Sequence, residues 1–258
     1  MSILQAILLG GLQGLTEFLP VSSSGHLVLV QHLLQMDFDP SALQGFDIVL
    51  HAGTATAIIW AYRQDWWHML SRGWKPSPEQ KQILLLILAT IPAGLAGVFL
   101  KDVISAQFRT LPMIGASFCI TGFVLLLVGR LQGSQSTPTW RHALVMGLVQ
   151  ALAIIPGVSR SGMTIGGGIA SGLTQAKAVD FSFQMALPII LGAFVLTVKE
   201  GLEGTVNLPS ATLCIVGFIT SFVISLLALY TIRAFVHRFK IGWFAVYLLP
   251  LGIGLILF

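Results

Sequence analysis

Charge is scarce in this sequence. Of its 258 residues only 9% are Asp, Glu, Lys or Arg, against about 25% in soluble domains. With 55% hydrophobic residues and a mean hydropathy of +0.87, that scarcity excludes an ordinary soluble enzyme and points to an integral membrane protein. Cysteine is scarcer still. Cys119 and Cys214 both lie in apolar runs, where they are expected as small hydrophobes rather than as a bridge or a metal pair. Also missing is a charged leader followed by a short apolar run and a small-residue cleavage site. All of Met1 to Phe258 is therefore expected in the mature chain. The pI near 9.3 does not imply nucleic acid, because the basic residues fall between apolar runs and form no patch with interleaved aromatics.

What is present is a series of runs long enough to cross a bilayer. Hydropathy predicts six spans, at residues 46–62, 83–100, 112–129, 179–198, 211–232 and 242–258. Two further apolar regions, about 3–35 and 142–173, are interrupted by Pro20 to Gly25 and by Pro156 to Gly162. Backbone left unpaired at membrane depth is tolerated only inside protein or beside a wet cavity, so each reads as a re-entrant helical hairpin. The connecting loops are short, which leaves one integral membrane domain over residues 1–258.

The two interrupted regions also match each other. A shift of 137 positions aligns Gly10 with Gly147, Gln13 with Gln150, Leu15 with Leu152, Val21 with Val158, Ser22 with Ser159, Ser24 with Ser161 and Gly25 with Gly162. The expectation is an internal repeat, copies at about 1–130 and 140–258, each a hairpin followed by three spans. An odd number of crossings inverts the second copy, an arrangement that tends to place a polar site where two broken elements meet. The basic residues agree. Arg63, Arg72, Lys75, Lys81, Arg130, Arg141, Lys177, Arg233, Arg238 and Lys240 fall on one side, and Lys101, Arg109 and Lys199 on the other. That bias puts the first group in the cytoplasm and both termini outside.

Polar residues at membrane depth are functional candidates by default. In the first break Gln13 and Glu17 share a helix face at i and i+4. Ser22, Ser23 and Ser24 offer hydroxyls and N–H groups, and His26 lies in the first turn of the next half-helix. In the second break Arg160 stands between Ser159 and Ser161. A guanidinium and two helix N-termini attract phosphate, and the hydroxyls suit displacement at phosphorus. Capping accounts for some of these serines. Gly166, Gly167 and Gly168 are expected to allow close helix packing. Asp47 and His51 are expected as a structural pair, and Thr54 and Thr56 as bonded to their own helix. Trp60, Trp66, Trp67 and Trp74 are expected as an interfacial belt.

The stretches Gln13-Gly-Leu-Thr-Glu17-Phe-Leu-Pro-Val-Ser-Ser-Ser-Gly-His26 and Pro156-Gly-Val-Ser-Arg160-Ser-Gly162 closely resemble the two signatures of bacterial undecaprenyl-diphosphate phosphatases of the bacitracin-resistance type. The resemblance covers nearly the whole chain. It implies hydrolysis of a polyprenyl diphosphate lipid to the monophosphate and inorganic phosphate in the bacterial cytoplasmic membrane, recycling the carrier for cell-wall synthesis. Residue by residue, it implies that Glu17 is a catalytic or metal-coordinating carboxylate, Ser23 the nucleophile, His26 a proton-transfer group and Arg160 a ligand of the diphosphate. Ser22, Ser24, Ser159 and Ser161 become supporting donors. Some members carry Glu where this chain has Gln13, which suits Gln13 to a hydrogen bond with substrate rather than to a metal. A divalent cation, Mg or Ca, is implied by the resemblance alone. Whether Ser23 or His26 attacks phosphorus stays open, as does a homodimer. The alternative from a different class is an alternating-access transporter or flippase of a polyprenyl phosphate lipid.

Overall fold

The computed structural model describes residues 1–36, 39–107, 110–204 and 207–257. They are helical throughout, with no strand beyond an isolated bridge between Gln135 and Leu173. In chain order the helices are α1 Ile3–Thr16, α2 Ser23–Leu33, α3 Pro40–Ala61, α4 Arg63–Arg72, α5 Pro78–Gln107, α6 Leu111–Val128, α7 Trp140–Leu152, α8 Arg160–Ala170, α9 Gln175–Leu202, α10 Ala211–Phe235 and α11 Phe244–Leu257. A 3-10 turn, Ile241–Trp243, leads into α11.

Five of these are long and apolar enough to cross a membrane: the segments Ser41–Ala61, Pro78–Leu100, Leu111–Val128, Gln175–Gly201 and Ala211–Phe235. The chain is thus a polytopic membrane protein. The sixth expected span corresponds to the shorter segment Ile241–Leu257. Phe258 at its end lies outside the described residues, as do Arg109 and the Lys101 side chain from the charge count. Helix α4 had no counterpart in the sequence reading. It is amphipathic, with Asp65 in its first turn and Arg72 in its last, and too polar to produce an apolar run.

The interrupted regions are helix–break–helix units, and their bounds repeat closely. Adding 137 to Ser23–Leu33 gives 160–170, the bounds of α8, and adding it to Ile3–Thr16 gives 140–153 against 140–152 for α7. Small residues dock the two first helices, because without a Cβ two backbones can approach closely. A Cβ on Gly10 would come within 2.8 Å of the Gly217 carbonyl oxygen on α10, and one on its counterpart Gly147 within 2.6 Å of Ala89 O on α5. Each helix therefore rests on a span from the opposite half of the chain. Gly167 and Gly168 abut Val149 and Ala178 in the same way, which is the packing role expected of that glycine run. At one end of the molecule Tyr62 donates to Asp180 Oδ1 at 3.0 Å, and Arg233 lies 3.3 Å from the same oxygen and 4.5 Å over the Tyr62 ring.

Candidate active site

Glu17 ends α1, its N–H bonded to Gln13 O at 3.0 Å. The chain then turns over five residues to Ser22, whose φ of +73° lies in the left-handed region. A non-glycine residue held in such a conformation costs about 1–3 kcal/mol, and it persists where the surroundings over-determine it. Here they do. Ser22 Oγ caps α2 by accepting from Gly25 N at 3.3 Å, and Ser22 O accepts from the His26 imidazole at 2.7 Å. Ser23 becomes the first residue of α2, and its hydroxyl donates to Glu17 Oε2 at 2.6 Å. Gln13 Nε2 donates to the same oxygen at 3.0 Å.

The second break delivers the counter-charge. Ser159 caps α8 by accepting from Gly162 N at 3.0 Å, which makes Arg160 the first helical residue. Its Nη2 lies 2.5 Å from Glu17 Oε1, and its Nη1 donates to Ser182 O at 3.4 Å. A guanidinium has five N–H donors, so donors remain for a ligand. The two breaks are stitched together by Ser161 Oγ donating to Leu19 O at 2.8 Å and by Gly157 N donating to Ser24 Oγ at 3.5 Å. Gly157 has a φ of +88°, and a Cβ there would meet Ser117. The chain thus needs glycine at this contact.

Beside this cluster lies a cavity of about 520 Å³. Glu17, Ser22, Ser23, Ser24, Ser159, Arg160 and Ser161 line one side, while Ile154, Ile189, Ile190, Ala193 and Phe194 line another. Of the residues expected from sequence, Gln13 is buried behind Glu17 and does not line the cavity. Its Oε1 is buried without a hydrogen-bond partner. The structure also separates His26 from the cavity. Its Nε2 bonds the Tyr247 hydroxyl at 2.7 Å, and its ring stacks between Phe118 and Tyr247. As placed, His26 presents neither ring nitrogen to the cavity.

His51 takes the cavity position instead. Its Nδ1 donates to the backbone oxygen of Asp47 at 2.7 Å, which turns Nε2 toward Glu17 Oε2 at 3.7 Å. The structural pair of Asp47 and His51 is met through this backbone bond, and the Asp47 carboxylate accepts from Gln31 Nε2 at 3.1 Å. Spacing alone shows i and i+4 but not which atom of Asp47 is met. Ser182 and Tyr247 carried no sequence signal, since both lie in ordinary helical runs and reach the site through the fold. Thr54 and Thr56 bond carbonyls of their own helix, as expected.

A divalent cation has a poor donor set here. Mg and Ca take six or more oxygen ligands in a shell with negative charge. Both Glu17 oxygens already accept from protein donors, Arg160 among them. Among the described residues no group of three or more His, Cys, Asp or Glu converges on a point. The residues as placed do not form a cation shell.

Fold and site together define a polytopic membrane protein that sets a buried carboxylate beside a half-buried guanidinium and serine where two broken helices meet, a class suited to handling an anionic group beside lipid. Comparison with known proteins is consistent with this. The chain belongs to the family described as bacitracin resistance protein BacA, whose sequence pattern matches residues 6–254. It is 36% identical over 274 residues to the undecaprenyl-diphosphatase of Alkaliphilus metalliredigens, covering 100% of this chain and 99% of that protein. It is 40% identical to the undecaprenyl-diphosphatase of Rubrobacter xylanophilus, over 96% of this chain and 94% of that one. The corresponding protein of Syntrophotalea carbinolica is 39% identical over 98% and 97%.

Proposed function

We propose that this protein hydrolyses undecaprenyl diphosphate to undecaprenyl phosphate and inorganic phosphate, recycling the lipid carrier for cell-wall synthesis and conferring bacitracin resistance. The observation that carries the reading is the 2.6 Å bond from Ser23 Oγ to Glu17 Oε2, with Arg160 on the other carboxylate oxygen. A hydroxyl beside a base is an activated nucleophile. A guanidinium next to it offsets the charge that develops on a transferring phosphoryl group.

The terminal phosphate enters between the N-termini of α2 and α8, where Arg160 and helix N–H groups hold its oxygens. Ser22, Ser24, Ser159 and Ser161 surround it as supporting donors. Ser23 Oγ attacks the terminal phosphorus as its proton passes to Glu17. The bond to the bridging oxygen breaks as Glu17 returns that proton to the leaving group, and undecaprenyl phosphate leaves. Water then attacks the phosphoserine, its proton passing to the Glu17 carboxylate and on to Ser23 Oγ as the Ser23–phosphorus bond breaks, which restores Ser23 and releases phosphate. Ser23 rather than His26 is the nucleophile in this scheme because the free nitrogen of His26 is committed to Tyr247. The apolar wall of Ile154, Ile189 and Phe194 suits the first isoprene units of the lipid.

The same reading makes the two helix–break–helix units re-entrant hairpins of an inverted repeat within one membrane domain, with Ile241–Leu257 as a sixth crossing. It sets the chain in the cytoplasmic membrane with both termini outside. The matching bounds of α2 and α8 support the repeat, and the lysine and arginine bias supports the orientation.

The test is phosphate release from a prenyl diphosphate by the purified protein, followed by trapping and mapping of a phosphorylated residue. Phosphate on Ser23 is the expected result. Unchanged rates in both Ser23→Ala and Arg160→Ala would overturn the reading. Headgroup crossing in liposomes that survives Ser23→Ala would favour translocation of the lipid instead.

A further inference from the structure

We infer that Tyr247, on α11, is a positioning residue for Ser23, acting through His26 and the backbone of Ser22. The inference rests on the reading of Ser23 as nucleophile. A carbonyl oxygen only accepts, so the 2.7 Å bond between His26 Nδ1 and Ser22 O places the ring proton on Nδ1. Nε2 of the neutral ring is then an acceptor, and the Tyr247 hydroxyl donates to it at 2.7 Å. Ser22 O thereby fixes the tautomer, and the Tyr247 hydroxyl anchors the other edge of the ring. The ring is also clamped, its centroid 4.9 Å from that of Phe118 on α6 and 5.7 Å from that of Tyr247, the latter pair inclined by only 18°.

The other end of this chain of contacts is the strained residue. Ser22 O accepts from the His26 backbone N–H at 3.3 Å as well as from its imidazole, so two donors hold the carbonyl of a residue at φ +73°. That carbonyl belongs to the peptide joining Ser22 to Ser23, and its direction sets where the Ser23 hydroxyl points. Without the Tyr247 hydroxyl the ring loses its anchor at Nε2 and is free to turn away from Ser22 O, after which nothing holds its proton on Nδ1. The support for the left-handed turn is then lost, and Ser23 leaves its 2.6 Å contact with Glu17. Displacement of a reacting group by about 1 Å is enough to cost on the order of 10²-fold in rate. Tyr247 lies outside the cavity, so substrate binding does not depend on it.

Tyr247→Phe keeps the stacked ring and removes only the hydroxyl. In purified full-length protein it is expected to lower kcat for phosphate release by about tenfold while KM stays within about twofold, the signature of misplaced catalytic geometry. Nitrogen-15 spectra of labelled histidine are expected to show His26 protonated on Nδ1 in the natural protein and redistributed toward Nε2 in Tyr247→Phe. A kcat within twofold of the natural protein, a raised KM at unchanged kcat, or a natural His26 protonated on Nε2 would each overturn the inference. Failure of the natural protein to release phosphate counts against the proposed activity instead. The histidine spectra then still decide whether Tyr247 holds the ring.

Discussion

The two breaks share one backbone plan and carry opposite chemistry. Ser22 and Ser159 cap α2 and α8 at equivalent positions, and the residue after each cap opens its helix. In the first break that residue is Ser23, and in the second it is Arg160. Glu17 corresponds under the same shift to Ile154, and His26 to Met163. The two breaks thus present similar helix N-termini, and differences at a few positions give one a serine beside a carboxylate and the other a guanidinium. The difference is also conformational. Ser22 has a φ of +73° and Ser159 a φ of −73°, so only the break that carries Ser23 is strained at its cap.

If the halves are complementary, the largest effects come from removing either opening residue. Ser23→Ala and Arg160→Ala should each lower kcat by about 10³-fold or more, and the double variant should be little worse than the poorer single. Arg160→Ala should also destabilise the fold by roughly 3–5 kcal/mol, because it leaves the buried Glu17 without its counter-charge. Phosphate release and thermal unfolding measure the two effects, and a variant keeping over a tenth of natural activity would break the comparison. Glu17→Gln keeps the shape but turns one accepting oxygen into an NH2 donor and removes the base, and should cost about 10²–10⁴-fold in kcat. A loss confined to KM would show that Glu17 only binds. Arg160→Lys retains the charge without the fork and should cost about 10–100-fold. Full activity in that variant would mean a point charge is enough in the second break.

The smallest effect separates the two caps. Ser159→Ala loses a cap, about 1 kcal/mol, whereas Ser22→Ala also leaves a Cβ-bearing residue at positive φ without its side-chain bond and should cost about 2 kcal/mol. Equal shifts in unfolding temperature would show that the strain at Ser22 has no energetic weight.

Most of the architecture was legible because the membrane imposes coarse rules. Five spans follow from run length and hydropathy, and both helix breaks follow from Pro, Gly and Ser inside apolar sequence. Arg160 and the Gln13–Glu17–Ser23 set were visible as polar residues where lipid disfavours them. The rest needed three dimensions. His26 and His51 are both histidines near polar neighbours in sequence. Only the fold shows that Tyr247, 221 positions away, turns one from the cavity, while Asp47 O aims the other at Glu17. The left-handed Ser22 was equally hidden, since serine rarely adopts that conformation and no glycine marks the place.

The packing of α1 against α10 has a consequence for how the protein is made. The backbone that Gly10 and Gly14 rest on, at Gly217 and Ser221, is not yet synthesised when α1 emerges. At about 5–20 residues per second, α10 follows α1 by roughly 10–40 s. Throughout that interval Glu17 is in the nascent chain, and Arg160 joins it only after more than half of the chain has been translated. The first segment to leave the ribosome is therefore among the last to reach its final neighbours, and a ribosome stalled before α10 would expose an acidic, undocked hairpin to quality-control proteases.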